Sequence, residues 1–128
     1  MHITTQLSDE LSRYLDLSSL QLKLTAQNMA NVDVPGYRTV GFDFAEEMER
    51  LIGEVGEERK ADGKPFGAGR SVTVGKVDGL IERPDGNNVS MDREGMKMAE
   101  AQLQFHAGEE LIKNEFSTIL DAVHADSK

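Results

Sequence analysis

A series of apolar residues seven positions apart constrains the fold of this chain more than any other feature of its sequence. The members of the series are Met91, Met98, Phe105, Ile112 and Ile119. Residues at this spacing share one face of an α-helix, and Ser90 is of a type that caps helix N-termini. The pattern predicts a helix over residues 90–125, roughly 54 Å long at the standard rise per residue. A helix of that length cannot bury its apolar face against itself.

The N-terminal part of the chain has a second helical pattern. No Pro or Gly occurs in residues 7–31, and three apolar residues again recur every seven positions. Together the two patterns predict a mainly α fold, in which long N- and C-terminal helices form a coiled-coil-like hairpin. We expect these helices to pair with each other and then with identical or related subunits, since so short a chain cannot cover both apolar faces. The residues expected at this helix seam are Leu15, Leu22, Met29, Met98, Phe105, Ile112 and Ile119.

The middle of the chain is punctuated by Gly and Pro, which argues against long helices there. Its composition predicts a short helix over residues 44–52 and a mobile loop over the charged run 54–69. Alternating residue types predict a strand over residues 71–77, with residues 80–83 as its hairpin partner. The region between the two long helices is therefore expected to be a small irregular or β insert.

At 128 residues the chain is expected to form one modest domain. We divide it into an N-terminal helix and corner (1–38), an irregular insert (39–89) and a C-terminal helix (90–128). The first and last of these segments are expected to form one helical unit.

A specific corner follows the N-terminal helix. Asn31 tolerates the left-handed conformation that often ends a helix, and Val34 precedes a proline, which pushes it out of the helical region. Pro35 and Gly36 suit the two central positions of a type II turn, of which the second requires a positive φ. The sequence therefore predicts that the helix ends near Asn31 and that Gly36 has a positive φ.

Composition excludes several classes of partner. The formal net charge of −9, from 14 basic and 23 acidic residues, argues against nucleic acid. The sequence contains no run of 18 apolar residues, so no transmembrane segment is predicted. Its first residues lack the pattern of a cleavable signal peptide. Without cysteine there is no disulfide framework or thiol chemistry. With 5% aromatic residues and no Trp, we expect an aliphatic core that neighbouring chains help to complete.

The histidines provide the best candidate for a metal site. His106 lies at helical spacing from Glu109 and Glu110, whereas His2 and His124 lie at the termini. Because zinc needs three or four converging ligands, a solvated helix face is the better interpretation of this cluster. No metal site is predicted.

The remaining candidates for chemistry are weaker. Asp85, Asn87 and Asp92 resemble part of a calcium loop, but Ser90 and Met96 occupy the positions that require Gly and Glu. No phosphate-binding loop, catalytic triad or nucleophile elbow is found. Several methionines suggest either a promiscuous binding groove or seam positions, and their heptad spacing favours the seam. We therefore predict no enzyme activity, no cofactor and no small-molecule substrate.

Three segments of the chain resemble motifs of a known protein family. Residues 28–38 resemble the N-A-N-x-x-T-P-G-Y signature near the N-terminus of bacterial flagellar rod and hook proteins, with Val34 in place of the usual Thr. Residues 41–44 are similar to the D-x-D-F segment of a basal-body rod protein, with Gly41 in place of the first Asp. Residues 85–94 resemble the D-G-N-x-V-x-x-D-x-E run that opens the C-terminal helix of that protein. The matching positions, which the resemblance implies as assembly residues, are Asn28, Ala30, Asn31, Pro35, Gly36, Tyr37, Phe44, Asp85, Gly86, Asn87, Asp92 and Glu94.

The resemblance implies a structural subunit of the proximal rod in the flagellar basal body, because hook and distal-rod proteins carry larger inserts. Members of this family are exported through the flagellar type III apparatus without a cleaved signal peptide, and they assemble through their terminal helices. The implied partners are other rod subunits, further copies of the chain itself, a rod-base adaptor, the MS ring and the export gate. The implied location is the rod that spans the periplasm.

Two other functions share the same helical pattern. One alternative is a sibling subunit of the proximal rod. The other is a soluble helical-hairpin adaptor or export chaperone, which would need neither the Pro35-Gly36 corner nor the motif of residues 85–94.

Overall fold

The computed structural model describes residues 5–60 and 71–125, with the backbone alone for residues 55–60. The elements in chain order are α1 (Gln6–Ala30), β1 (Val40–Gly41), α2 (Phe44–Lys60), β2 (Gly75–Lys76) and α3 (Met91–Ala125). The predicted mainly α fold, with long terminal helices and a small insert that contains strands, is confirmed. None of the described helices is both long and apolar enough to cross a membrane.

Helices α1 and α3 form an antiparallel hairpin. At one end the Thr5 hydroxyl donates to Glu115 Oε1 (2.5 Å), and at the other Asn28 Nδ2 donates to Glu94 Oε2 (2.9 Å). Thr5 also caps α1, because its Oγ1 accepts from the Ser8 N–H while Ser8 Oγ accepts from the Thr5 N–H. The start of α1 therefore lies beside Glu115, and α3 continues past it to Ala125.

The buried contact between the two helices is made of small residues. Ser18 and Thr25 of α1 and Ala101 of α3 are fully buried, and Gly108 is buried one heptad after Ala101. A Cβ on Gly108 would lie only 2.9 Å from Leu15 Cδ2 and from Tyr14 Cδ1. Small side chains on both helices therefore allow the close approach.

Helix α2 covers one flank of this hairpin. Leu51 of α2 and Leu17 of α1 are both buried and line one cavity, and the Tyr14 and Phe44 rings meet edge to face at 5.6 Å. The core of the chain is therefore a three-helix layer around the middle of α1.

Helix α2 is longer than the sequence predicted. It spans 17 residues rather than residues 44–52, so the first part of the predicted loop 54–69 is helical. Asp43 Oδ1 accepts from the Glu46 N–H at its start, and Arg50 forms ion pairs with Glu47 and Glu54, both at 2.7 Å. These contacts offset the low helix propensity of the glycines in α2. Residues 61–69 of the predicted loop lie outside the described residues.

The predicted β-hairpin is also wrong. β2 pairs antiparallel with β1, with Val40 opposite Lys76 and Gly41 opposite Gly75, rather than with residues 80–83. After β2 the chain turns at Gly79, which has a φ of 78°. Residues 80–83 then run towards the end of α1, where the Arg83 guanidinium donates to the Val32 carbonyl. Long-range hydrogen bonds thus decide which segment pairs with the strand.

Candidate functional site

Two of the three motif segments, the first (28–38) and the last (85–94), meet where α1 ends and α3 begins. We call this region, residues 28–40 and 85–94, the motif junction. The Gly36 N–H donates to the Asp85 carbonyl (2.8 Å), and the Asn88 N–H donates to the Tyr37 carbonyl (3.3 Å). The chain therefore enters and leaves the insert along two adjacent segments. The sequence identified both motifs but did not predict that they contact each other.

The corner after α1 has the predicted turn. Gly36 has a φ of 73°, and the Tyr37 N–H donates to the Val34 carbonyl (3.2 Å), as in a type II turn. Asn31 does not adopt the expected left-handed conformation, since its φ is −105°. Its Nδ2 instead donates to the Gln27 carbonyl (2.7 Å), which satisfies one of the last carbonyls of α1.

Asn28 lies at the centre of the motif junction and is 2% exposed. Its Nδ2 donates to the Val40 carbonyl (2.8 Å) and to Glu94 Oε2 (2.9 Å). Its Oδ1 accepts from the Val40 N–H (3.0 Å) and from the Tyr37 hydroxyl (3.1 Å). If the Asn28 amide were rotated by about 180°, its NH₂ group would face the Val40 N–H and its oxygen would face the Val40 carbonyl. The hydrogen bonds to Val40 therefore fix the orientation of the side-chain amide. Asn28 therefore joins α1, the corner, the insert and α3.

Val40 is bound by Asn28 in the manner of a neighbouring strand. The Val77 N–H donates to the Thr39 carbonyl (2.9 Å), so Thr39 and Val77 form a hydrogen-bonded pair. Hydrogen-bonded and non-hydrogen-bonded pairs alternate along an antiparallel ladder, so the next pair, Val40 and Lys76, is not hydrogen-bonded. The N–H and C=O of Val40 therefore point away from β2 and towards α1, where the Asn28 amide binds both. The side chain of a helix thus completes the edge of the small sheet.

Asn87 connects the second motif to the end of α1. Its side chain is fully buried, and its Nδ2 donates to the carbonyls of Asn31 (3.0 Å) and Val34 (2.8 Å). Its Oδ1 accepts from the Val89 N–H (2.8 Å). Because these carbonyls lie beyond the last helical bonds of α1, Asn87 acts as a C-terminal cap supplied by a distant segment.

Other motif positions contribute through charge and through close packing. Glu94 is 1% exposed, and its Oε1 accepts from Arg93 Nη1 (2.9 Å) while Oε2 accepts from Asn28. A Cβ on Gly86, which has a φ of 83°, would lie 3.3 Å from Gly36 Cα. Glycine at this position therefore permits both the turn and the close approach of the two segments.

The structure does not bring every predicted site residue into the motif junction network. Ala30, Pro35 and Asp92 are exposed, and Phe44 packs on Tyr14 instead. The seven seam residues are all half-buried along α1 and α3.

The sequence also missed contributors to the network. Asn88 Oδ1 accepts from the buried Thr39 N–H (2.7 Å), and Arg93 pairs with Glu94. Asn88 stands at a variable position of its motif, and Thr39 lies in no motif, so neither had a signal in the sequence.

The cluster around His106 forms ion pairs on the surface of α3. Lys113 Nζ lies 3.1 Å from carboxylate oxygens of both Glu109 and Glu110, and His106 Nδ1 lies 3.7 Å from Glu109. The Lys113 ammonium lowers the pKa of the Glu109 carboxyl below its usual range. Among the described side chains, those of residues 5–54 and 71–125, no three His, Asp or Glu are placed to hold a metal ion.

Substitution of Gly36 tests the corner of the motif junction. Gly36→Val is expected to destabilise the fold by about 1–3 kcal/mol, because a β-branched residue is strained at positive φ. No heavy atom lies within 4 Å of the new Cβ, so the loss would come from the backbone. Gly36→Asn, which tolerates this conformation better, is expected to lose less. Urea unfolding followed by circular dichroism measures both, and equal stability of Gly36→Val and the wild type would contradict the turn.

Comparison with known proteins gives a consistent result. No protein-family model matches the chain. It is 31% identical over 104 residues to the flagellar basal body rod protein FlgB of Salmonella typhimurium, covering 73% of this chain and 75% of the relative. The FlgB protein of Borrelia hermsii is 32% identical over 114 residues (80% and 84%), and that of Cereibacter sphaeroides 29% over 115 residues (88% and 89%).

These relatives are all rod proteins of the flagellar basal body, and the motif junction is built from the segments that resemble rod-protein motifs. The chain belongs to the FlgB family.

Proposed function

We propose that the chain is a non-enzymatic structural subunit of the proximal rod of the bacterial flagellar basal body. In this proposal it is exported without a cleaved signal peptide and joins the rod to the MS ring and the export gate. Its other partners are a rod-base adaptor, further rod subunits and copies of itself. The observation that carries the proposal is the similarity to rod proteins over 75% to 89% of their own length.

The geometry of the motif junction supports a structural role. The segments that resemble the family motifs hold α1, α3 and the insert in one arrangement through Asn28 and Asn87. A subunit of a helical assembly needs such a fixed arrangement, because a small angular error repeats at every copy.

The seam provides a surface for assembly. Leu17 lies on the flank of α1 that faces Leu51 of helix α2. Helical spacing places Leu24 on the same flank, and Leu15 and Leu22 on the other. In an antiparallel pair the same reasoning places Phe105 and Ile112 of α3 on that second flank. All the seam residues remain half-buried within the single chain. Two adjacent helices with apolar flanks form a groove that suits helices of neighbouring subunits.

The end of α3 provides further apolar surface. Beyond Glu115, where α1 begins, the exposed fractions of Phe116, Leu120 and Val123 are 46%, 57% and 55%. Exposed apolar residues in series along a helix are typical of an interaction surface. In the proposed rod, neighbouring subunits cover this part of α3.

A pair of substitutions on α3 tests the seam. Phe105→Asp places a charge on the half-buried flank, and desolvation of that charge in an assembled rod would cost several kcal/mol. We expect this variant to abolish swimming in a strain that lacks the native copy, while export of the subunit continues. The matched control is Leu103→Asp, whose position is 75% exposed on the outer side of the same helix. Normal swimming by Phe105→Asp, or equal loss of swimming by both variants, would contradict the seam.

A further inference from the structure

The geometry points to a conformational coupling built into the motif junction. We propose that the Asn28 amide links the first turns of α3 to the start of the insert, so that displacement of Glu94 weakens the hold on Val40. Asn28 is thus a positioning residue that transmits movement between two segments 54 residues apart.

The coupling follows from the rigidity of the amide group. Both hydrogens of Asn28 Nδ2 are used, one by Glu94 Oε2 and one by the Val40 carbonyl. The Oδ1 atom of the same planar group accepts from the Val40 N–H. If Glu94 moves away, the amide must rotate to find another acceptor for its free hydrogen. That rotation also turns Oδ1 and the second hydrogen away from Val40.

Burial raises the free energy of any state in which only one of these hydrogen bonds is broken. Asn28 is 2% exposed and Glu94 is 1% exposed, so water cannot easily replace a lost partner at either side chain. A buried donor without an acceptor is strongly disfavoured, because it has given up its hydrogen bonds to water and gained none in the protein. The three groups therefore rearrange together rather than one at a time, which is a coupling free energy between two contacts.

Amide hydrogen exchange of the full chain, measured by NMR, tests the coupling. Glu94→Leu removes the acceptor while keeping a side chain of similar size. We expect it to raise the exchange rate of the Val40 amide about tenfold relative to the Thr39 amide, the effect of one lost hydrogen bond. Thr39 is the internal control, because Asn88 rather than Asn28 binds its N–H. In an Asn28→Ala background, Glu94→Leu is expected to add nothing at Val40. Additive effects, or equal changes at Val40 and Thr39, would overturn the proposal.

A second measurement needs no substitution and remains decisive if Glu94→Leu does not fold. Native-state exchange of the wild-type chain in low concentrations of denaturant gives the opening free energy of each amide. The Val40 amide and the Glu94 amide, which donates to the Ser90 carbonyl, are expected to share one opening free energy and one denaturant dependence that differ from those of the Thr39 amide. One common value for all three amides would contradict the coupling. Clearly different values for the Val40 and Glu94 amides would also contradict it.

Discussion

Replacing Asn28 with aspartate is expected to destabilise the chain by about 3–5 kcal/mol, which is the range for an uncompensated charge in a buried site. The introduced carboxylate would lose both donated hydrogen bonds and would face Glu94, which accepts from Asn28 at 2.9 Å and is itself 1% exposed. It would also place an oxygen against the Val40 carbonyl. A loss of this size is a large part of the stability of a small domain. Chemical unfolding by urea measures it directly.

The control for this variant is Gln27→Glu on the preceding residue. Gln27 is exposed on α1, so the change adds the same negative charge without burying it. Its expected effect lies within about 0.5 kcal/mol, as for most surface substitutions. If Asn28→Asp were as stable as Gln27→Glu, the buried network around Asn28 would not be a determinant of the fold.

Substitution of two glycines on α3 by leucine is expected to change stability in opposite directions. Gly108→Leu should destabilise the chain by about 1–3 kcal/mol, because overpacking strains a contact that is already close. Its Cβ alone would lie 2.9 Å from the side chains of Leu15 and Tyr14. Gly95→Leu should stabilise the chain by up to about 0.8 kcal/mol through helix propensity, because its Cβ would meet nothing within 4 Å.

The opposite signs make this pair diagnostic. Both substitutions add the same side chain to the same helix, so any general effect of leucine on helix α3 cancels in the comparison. Thermal unfolding of both variants at one protein concentration gives the result. Stabilisation by Gly108→Leu comparable to that by Gly95→Leu would show that α1 and α3 do not approach closely at this point.

The sequence predicted the features of this fold that depend on local patterns. Apolar spacing along residues 91–119 predicted α3, and the Pro35-Gly36 pair predicted both the type II turn and the sign of φ at Gly36. Each of these rests on residues within a few positions of one another, where the chain itself restricts the geometry. The end of α1 was predicted within one residue for the same reason.

The features that the sequence missed depend on contacts between distant residues. The bond between Asn28 and Glu94 spans 66 positions, and that between Asn87 and Val34 spans 53. The periodicity of apolar residues does not indicate which carbonyl a buried asparagine will bind. The same limitation explains the wrong partner for β2, since the approach of residues 39–41 was not visible in the alternation of residues 71–77.

The heptad periodicity of α3 predicted which side of the helix is apolar, but it did not identify the residues that lie closest to α1. The heptad through Phe105 and Ile112 predicted one side of α3, but the residues buried against α1 are Ala101 and Gly108, a short rotation away. Small residues contribute little to a hydrophobic pattern, although they permit the closest approach. The larger seam residues remain half-buried, which is why we assign them to contacts with other subunits.

The proposed place of the chain in the rod can be tested by a cryo-electron microscopy map of isolated basal bodies, at a resolution that allows this chain to be traced. We expect the chain to lie in the proximal rod, with the α1–α3 hairpin and the motif junction as described. The flank that carries Phe105 and Ile112 should pack against helices of neighbouring subunits. Location of the chain outside the rod, or a rod in which this flank faces solvent, would contradict it.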